Sequence, residues 1–323
     1  MRYLGLDLGG TNIKGAVVDV EPDSPPSVIE TSTTATQAER GPAAVTQRMV
    51  DLGGEMADAH GPFAGVGIGV PGLFDFESGE VIFLTNLPGE WEGYPLRATI
   101  VEWLGIPATL INDARAFTLA EATVGAGRGS ASVACFTLGT GIGGGLFING
   151  QLHLGAFGVA GELGHQTVAP DGPVCGCGNR GCLEAVARPP AIAAAAGHET
   201  MEAVIEAAEA GDPASVAALD RAVAFLGIGI ANILTMVGPE RIVIGGGAAT
   251  AGDALLDPIR TAVKNRVTLL PPDQIEIVAA ELGYEAGAIG AALAAMATPS
   301  KDQRLLTGDI PSATTRREGC RAD

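Results

Sequence analysis

The sequence YLGLDLGGTNIKGAVVD, residues 3–19, contains a short apolar run, a turn with glycine and threonine, and a second apolar run. This order is typical of a β-hairpin. The sequence SVACFTLGTGIGGGLFING, residues 132–150, repeats it. Two hairpins of the same design, far apart in the chain, predict a duplicated pair of α/β domains, each of which begins with one hairpin.

Both turns have the composition of a phosphate-binding loop. Residues without a Cβ let backbone N–H groups converge on an anion, and a threonine hydroxyl adds a donor. For each hairpin alone, an ordinary tight turn remains the alternative. The predicted phosphate-binding residues are Gly9, Gly10, Thr11, Asn12 and Lys14, which follow Asp7, and Gly139, Thr140, Gly141, Gly143 and Gly144.

Two better-known phosphate motifs are excluded. The spacing GxGxxG occurs at residues 67–72 and 139–144, but the dinucleotide-binding motif requires a helix directly after the glycines. The first match runs into a second turn and the second runs into a strand, so neither qualifies. A Walker A sequence does not occur in the chain.

The stretch GELGHQTVAPDGPVCGCGNRGCLE, residues 161–184, concentrates metal-binding side chains, namely His165, Cys175, Cys177 and Cys182. Three thiolates and one imidazole form a complete ligand set for structural zinc, and the intervening glycines allow the backbone to wrap around one ion. Glu162 and Glu184 flank the set, and a zinc ion would fix both carboxylates for hydrogen bonding to a polyol. The alternatives are a disulfide, or reduced cysteines beside two solvated acids.

Asn112 and Asp113 stand at the end of one predicted strand and the start of a predicted helix. That position faces the crevice in an open α/β domain. A carboxylate there can accept the proton of an attacking hydroxyl while Asn112 aligns the substrate. The local sequence leaves open a second role for Asp113, that of a helix N-cap.

The composition excludes several classes of protein. A chain of 323 residues with 47% hydrophobic and 17% charged residues can bury the cores of two domains. Its formal net charge of −18 argues against nucleic acid as a partner. The first residues lack the features of a signal peptide, and no apolar run approaches the length of a membrane span. We therefore expect a cytoplasmic protein without a membrane partner, whose thiols remain reduced.

The remaining sequence predicts alternating strands and helices. Strands are expected at residues 65–71, 108–111 and 241–244, and helices at 114–124, within 189–225, at 228–237, after residues 245–247 and at 283–297. We predict a small N-terminal domain at residues 1–113, to which the helix at 283–297 returns. A larger domain with the zinc loop follows at 114–282, and residues 298–323 have the composition of a mobile tail.

Taken in order, these motifs resemble the ROK family of sugar kinases up to about Ala297. The matching pieces are DLGGTNIKGAVVD at the start, GVGIGVPG at 65–72, INDA at 111–114, LGTGIGGG at 138–145, AGELGH at 160–165, CGCGNRGCLE at 175–184 and GGG at 245–247. The combination of GELGH with the cysteine element is the most specific of them.

The resemblance implies an α/β actin-like ATPase (ribonuclease H-like) fold of two domains, in which ATP and a hexose meet in the interdomain cleft. Asp113 would be the general base. Gly69, Asn86, Asn112, Glu162, His165 and Glu184 would hold the sugar. Mg²⁺ would bridge the phosphates between the two turns, with Asp7 as a water-mediated partner, and Gly245, Gly246 and Gly247 would approach the adenosine. Zinc would be structural, and the protein would form a homodimer.

Glucose, phosphorylated at its 6-hydroxyl as in bacterial ATP-dependent glucokinases, is the leading acceptor by resemblance. Fructose, mannose, N-acetylglucosamine and N-acetylmannosamine remain alternatives, as does a sugar-binding protein without catalysis. ATP is favoured over polyphosphate as donor because the relatives that use polyphosphate tend to lack the zinc element. A sugar-responsive repressor is disfavoured, because the first hairpin begins at Tyr3 and the chain is acidic.

Three residues depart from the family pattern. Arg115 replaces a second asparagine, Phe117 stands where small residues are common, and Asn12 replaces a frequent lysine for which Lys14 can compensate. We expect Arg115 on the helix surface. If it instead faces the cleft, it would alter which sugar fits or bind a charged group.

Overall fold

The computed structural model describes residues 1–84, 87–156 and 158–296. The strands are β1 (Arg2–Leu8), β2 (Asn12–Asp19), β3 (Ser27–Ala35), β4 (Val66–Val70), β5 (Gly72–Phe74), β6 (Val81–Leu84), β7 (Ala108–Asn112), β8 (Ser132–Leu138), β9 (Ile142–Ile148), β10 (Gln151–Leu152), β11 (Arg241–Gly245) and β12 (Glu276–Ala279). The α-helices are α1 (Pro42–His60), α2 (Leu96–Leu104), α3 (Asp113–Thr123), α4 (Leu183–Ala187), α5 (Pro189–Ala196), α6 (Met201–Glu209), α7 (Pro213–Met236), α8 (Asp253–Lys264) and α9 (Ala286–Ala294).

Two five-stranded sheets have the same topology. The first has the order β3-β2-β1-β4-β7 and the second has the order β10-β9-β8-β11-β12. In each, the first strand of a hairpin pairs antiparallel with the second, and two later strands run parallel to it. Both predicted hairpins and the repeated plan are therefore confirmed.

Helix α9 packs very closely on the first sheet. A Cβ added at Gly5 of β1 would lie 1.9 Å from the carbonyl oxygen of Ala288, and one at Gly67 of β4 would lie 1.7 Å from that of Ala291. On the other side of α9, a Cβ at Gly290 would meet the carbonyl oxygen of Ala116 in α3 at 1.7 Å. The small residues of α9 allow this close approach on both sides.

The predicted domain boundaries stay predictions. The boundary at residue 113 falls on the first residue of α3, which follows strand β7 of the first sheet and packs against β9 of the second. The end of the predicted helix at 283–297 and the predicted mobile tail at 298–323 lie outside the described residues.

Among the described residues, α7 is the one helix whose length and apolar composition would suffice to cross a membrane. It begins at a well-formed cap, where the Asp212 carboxylate accepts a hydrogen bond from the N–H of Ser215 and Pro213 occupies the first turn. Leu226, Ile230 and Leu234 are buried in the core of the second half of the chain. This packing is that of a core helix.

A buried carboxylate joins the two segments that connect the sheets. Glu121, fully buried in α3, accepts hydrogen bonds from the N–H groups of Glu281 and Leu282, which lead from the second sheet to α9. It also accepts one from the N–H of Ala126, in the turn between α3 and β8. Glu121 therefore bonds to both segments in which the chain passes between the two sheets.

We expect Glu121→Ala to lower the free energy of unfolding by about 3 kcal/mol, because three partly buried N–H groups lose a charged acceptor. Urea titration measures this loss. Glu281→Ala is the matched control: it removes an exposed side chain from the same segment and keeps the backbone donor, so its effect should stay below about 0.5 kcal/mol. Equal losses in the two variants would contradict the role of Glu121.

Candidate active site

Side chains at the carboxyl ends of parallel strands meet at one edge of the first sheet. Asp7 of β1 pairs in register with Gly69 of β4, and Asn112 of β7 pairs with Val70. Asp113 follows as the first residue of α3. The carboxyl edge of a parallel sheet is where ligands of α/β proteins bind. The structure thus brings Asp7, Gly69, Asn112 and Asp113 together.

Asp7 lies in a nearly closed environment. Its carboxylate is 3.9 Å from Lys14 Nζ, and Cβ atoms added at Gly69 or Gly287 would lie 2.8 or 2.5 Å from its oxygens. Burial raises the pKa of Asp7 to about 6, although the Lys14 ammonium lowers it and the negative charge of Asp113 adds to the increase. Lys14 Nζ also lies 5.5 Å from the centroid of the Tyr284 ring.

Asp113 is exposed to solvent, although the protein around its carboxyl group desolvates it in part. Desolvation raises the pKa of Asp113, the N–H of Ala114 lowers it, and the charge of Glu162 raises it again. A carboxylate that is accessible and less acidic than usual is suited to accept a proton near neutral pH.

Asn112, and not Asp113, caps helix α3. Its Oδ1 accepts hydrogen bonds from the N–H groups of Ala114 at 3.1 Å and Arg115 at 3.3 Å. The N-cap alternative for Asp113 is therefore wrong, although Asp113 Oδ1 also accepts a hydrogen bond of 2.8 Å from the N–H of Ala114. The Asn112 oxygen is thus engaged by the helix, while its Nδ2 lies 3.4 Å from the carbonyl oxygen of Gly72.

The second turn, residues 139–141, lies near the metal-binding segment and the turn after β11. The N–H of Gly139 closes the turn by a bond to the carbonyl oxygen of Gly141. Glu184 Oε2 accepts a hydrogen bond of 3.0 Å from the N–H of Ile142, at the end of the turn. Gly246 approaches Leu138 so closely that a Cβ would lie 2.5 Å from its carbonyl oxygen, and its φ of 87° favours glycine.

The first turn, residues 9–11, depends on a residue that the sequence did not single out. Thr36 is fully buried; its hydroxyl donates to the carbonyl oxygen of Gly9 at 2.7 Å, and its N–H donates to that of Thr11 at 2.8 Å. The Gly9 N–H bonds to the carbonyl oxygen of Asn12. The exposed Gly10 and Thr11 form the tip.

Some predicted nucleotide-binding glycines have a packing role in the structure. Gly143 and Gly144 lie within β9, where Cβ atoms would collide with Thr137 Oγ1 of β8 and with the carbonyl oxygen of Cys135. Gly245 ends β11 against the ring of Phe117, which a Cβ would meet at 2.4 Å. Phe117 is therefore a core residue, and its ring fits because position 245 has no side chain. The next two residues, Gly246 and Gly247, are exposed.

His165, Cys175, Cys177 and Cys182 form one cluster in which all ligand atoms lie within 4.8 Å of one another. The Sγ atoms of Cys177 and Cys182 are 3.7 Å apart, and His165 Nδ1 is 3.6 Å from Cys175 Sγ. Tetrahedral zinc with bonds of about 2.3 Å to sulfur and 2.0 Å to nitrogen separates such atoms by about 3.8 and 3.5 Å. The cluster has the dimensions of a zinc site.

The predicted disulfide alternative is wrong, since the described cysteines are free. Burial raises the pKa of Cys175 to about 12 and also raises that of Cys182, so these thiols need a thiophilic cation to ionise near neutral pH. Glu184 Oε1 lies 3.6 Å from Cys175 Sγ. Glu184 therefore stands between the metal cluster and the second turn.

Arg115 is buried, contrary to the expected surface position. One Nη atom donates to the carbonyl oxygen of Gly158 and, at 3.2 Å, to Glu162 Oε1. The sequence did not reveal this position because the partners of Arg115 lie in a loop more than forty residues away, which folds over the first turn of α3. Asn86, predicted to bind the sugar, lies outside the described residues.

Comparison with known proteins gives consistent matches. The profile of the ROK family matches residues 3–298. The chain is 36% identical to a glucokinase of Thermotoga maritima, over 90% of this chain and 96% of that protein. It is 31% identical to the xylose repressor of Bacillus subtilis, over 70% of this chain and 59% of the repressor.

Solved structures agree with the sequence matches. A ROK hexokinase from Thermus thermophilus has a TM-score of 0.83 at 33% identity, covering 92% of this chain and 98% of that one. A ROK family glucokinase from Streptomyces griseus, in complex with glucose and AMPPNP, has a TM-score of 0.74 at 32% identity, covering 92% and 99%. These matches confirm the predicted α/β fold class, that of actin-like ATPases.

Proposed function

The chain belongs to the ROK family, and on that premise we propose that it transfers the γ-phosphoryl group of ATP to the 6-hydroxyl of glucose. One observation carries the proposal: Asp113, with a raised pKa, stands at the carboxyl edge of the first sheet beside Asp7 and Glu162. The glucokinase relatives, and the Streptomyces griseus structure with glucose and AMPPNP, support ATP as donor and glucose as acceptor.

In the proposed reaction, Asp113 accepts the proton of the 6-hydroxyl as that oxygen attacks the γ-phosphorus. The bond from the γ-phosphorus to the bridging oxygen breaks, and ADP leaves with the electron pair. The sugar's other hydroxyls would be held by Glu162, His165 Nε2 and Glu184, with Asn112 Nδ2 and the Gly69 backbone near the reacting edge. His165 Nε2 is the free ring nitrogen because Nδ1 faces the cysteines.

The phosphates would lie between the tips of the two turns, formed by Gly10, Thr11 and Thr140. The partly enclosed carboxylate of Asp7 fits a role next to Mg²⁺, which binds through few protein carboxylates together with water and phosphate oxygens. Bound Mg²⁺ would neutralise charge on the phosphates. Zinc, held by His165 and the three cysteines, would be structural, and no step of the reaction uses it.

The test is release of ADP from MgATP with glucose, mannose, fructose, N-acetylglucosamine, N-acetylmannosamine and xylose. We expect the highest kcat/KM with glucose. Xylose has no 6-hydroxyl and should give no phosphorylated sugar, and polyphosphate should not replace ATP. No ADP release with any sugar, from folded protein that contains zinc, would contradict the proposal; preference for another hexose would overturn only the choice of glucose.

A further inference from the structure

Arg115 and Glu121 are the charged side chains with less than a tenth of their surface exposed, among the residues that the structure describes. Glu121 is fully engaged by backbone donors, as described above. Arg115 lies two positions after Asp113 in the first turn of α3, and its Nε is buried without a hydrogen-bond partner. A buried cation with an unpaired donor is a poor source of stability, so its position beside the catalytic carboxylate needs another reason.

We propose that Arg115 is a positioning residue that fixes Glu162, and residues 158–162 with it, against the acceptor sugar. This inference rests on the proposed function. The guanidinium contacts this short segment at both ends, through the carbonyl oxygen of Gly158 and through Glu162 Oε1.

Glu162 needs such support. Its side chain is 43% exposed, and an exposed carboxylate otherwise samples several rotamers at a cost in side-chain entropy when a ligand orders it. With Oε1 bonded to Arg115, Oε2 is left to accept from a sugar hydroxyl. The N–H of His165, a proposed zinc ligand, donates to the carbonyl oxygen of Glu162 at 3.1 Å. Glu162 is therefore held from Arg115 on one side and from the metal cluster on the other.

The same geometry indicates the charge of the acceptor. Arg115 already pairs its charge with Glu162 and bonds the Gly158 carbonyl, both through one Nη atom, and its Nε is buried, so its charge is not directed at an incoming carboxylate or phosphate. The sugar side of the cleft then presents Glu162, Glu184 and Asp113, a set of acceptors suited to the hydroxyls of a neutral sugar. Of the two effects expected for an Arg115 that faces the cleft, altered sugar fit is favoured over binding of a charged group.

The experiment compares Arg115→Asn, which introduces the residue usual in the family, with Arg115→Lys and the wild type. Hydrogen exchange at the amides of residues 158–162 is measured without substrate, and KM and kcat are measured with the preferred sugar. We expect Arg115→Asn to speed exchange at least about tenfold and to raise the sugar KM about 10- to 100-fold, with kcat changed less than about threefold. Arg115→Lys should recover part of both losses, because it keeps the charge but not the fork.

Two further variants separate positioning from general damage. Arg128→Asn replaces an arginine that is 58% exposed just beyond α3 and should leave both readouts unchanged. Combining Arg115→Asn with Glu162→Gln should raise the sugar KM no further than Glu162→Gln alone, because the two residues act as one unit. Additive losses, or wild-type exchange and KM in Arg115→Asn, would overturn the inference. If the wild type phosphorylates no sugar, the proposed function fails, while the exchange measurement still decides the role of Arg115.

Discussion

Asp113→Asn is expected to lose about a thousandfold in kcat while its affinity for the sugar changes less than tenfold. The amide keeps the size of the side chain but cannot accept the proton of the attacking hydroxyl. Helix α3 should remain intact, because its cap is provided by Asn112 and not by Asp113. The measurements are steady-state ADP release and calorimetric titration with the sugar.

The same variant should not be destabilised at neutral pH. The folded-state pKa of Asp113 lies above its ordinary value, so the folded protein binds this proton more tightly than the unfolded chain does. Ionisation of Asp113 therefore costs stability, and this cost is fully present once the pH exceeds the folded pKa. Removing the charge removes the cost, so the melting temperature should stay equal or rise. Asp51→Asn, at an exposed position of α1, serves as the control for the substitution itself.

Wild-type turnover in Asp113→Asn would contradict the role of the general base. Loss of sugar binding together with a lower melting temperature would show instead that Asp113 holds the site together. Retained sugar binding with turnover lost separates the proposed base from a structural carboxylate, since a structural role would not leave binding intact.

Local patterns predicted the parts of the fold that depend on local chemistry. The two hairpins were predicted because apolar runs around a glycine-threonine turn have few other conformations available. The metal cluster was predicted because its four ligands lie close together in sequence and satisfy one ion. The junction of β7 and α3 was predicted because a strand pattern at residues 108–111 is followed by a helical pattern from residue 114.

Features that depend on distant partners were missed. Strand β3 is mostly polar and exposed along its length, so its pairing with β2 leaves no apolar alternation in the sequence. Helix α1 contains Gly53, which weakens a helical prediction, yet a Cβ there would meet Leu4 and Leu104 at 3.2 and 3.3 Å. Thr36 and Arg115 were missed for the same reason, because the sequence around a single polar residue does not show which distant backbone carbonyl it will bond.

Cys182→Ser is the second variant with a large expected effect. Cys182 is fully buried, and its Sγ also accepts a contact of 3.4 Å from Asn179 Nδ2. Losing one of four ligands should reduce zinc retained after dialysis from about one equivalent to well below half, because zinc affinity depends on the complete set of thiolates. Elemental analysis of the purified variant measures this change, and Cys135→Ala, outside the cluster, should keep its zinc.

The loss of zinc should impair the use of both the sugar and ATP. His165 and Glu184 belong to the metal cluster or contact it, and Glu184 also accepts the hydrogen bond from the N–H of Ile142 that fixes the second turn. We therefore expect kcat/KM for the sugar to fall at least about a hundredfold and the KM for ATP to rise as well. An effect on the sugar alone would mean that Glu184 holds the turn without the metal. Unchanged kinetics in a zinc-free variant would contradict a role of the metal in substrate binding. The second turn, Glu162 and Glu184 would then be positioned by the polypeptide alone.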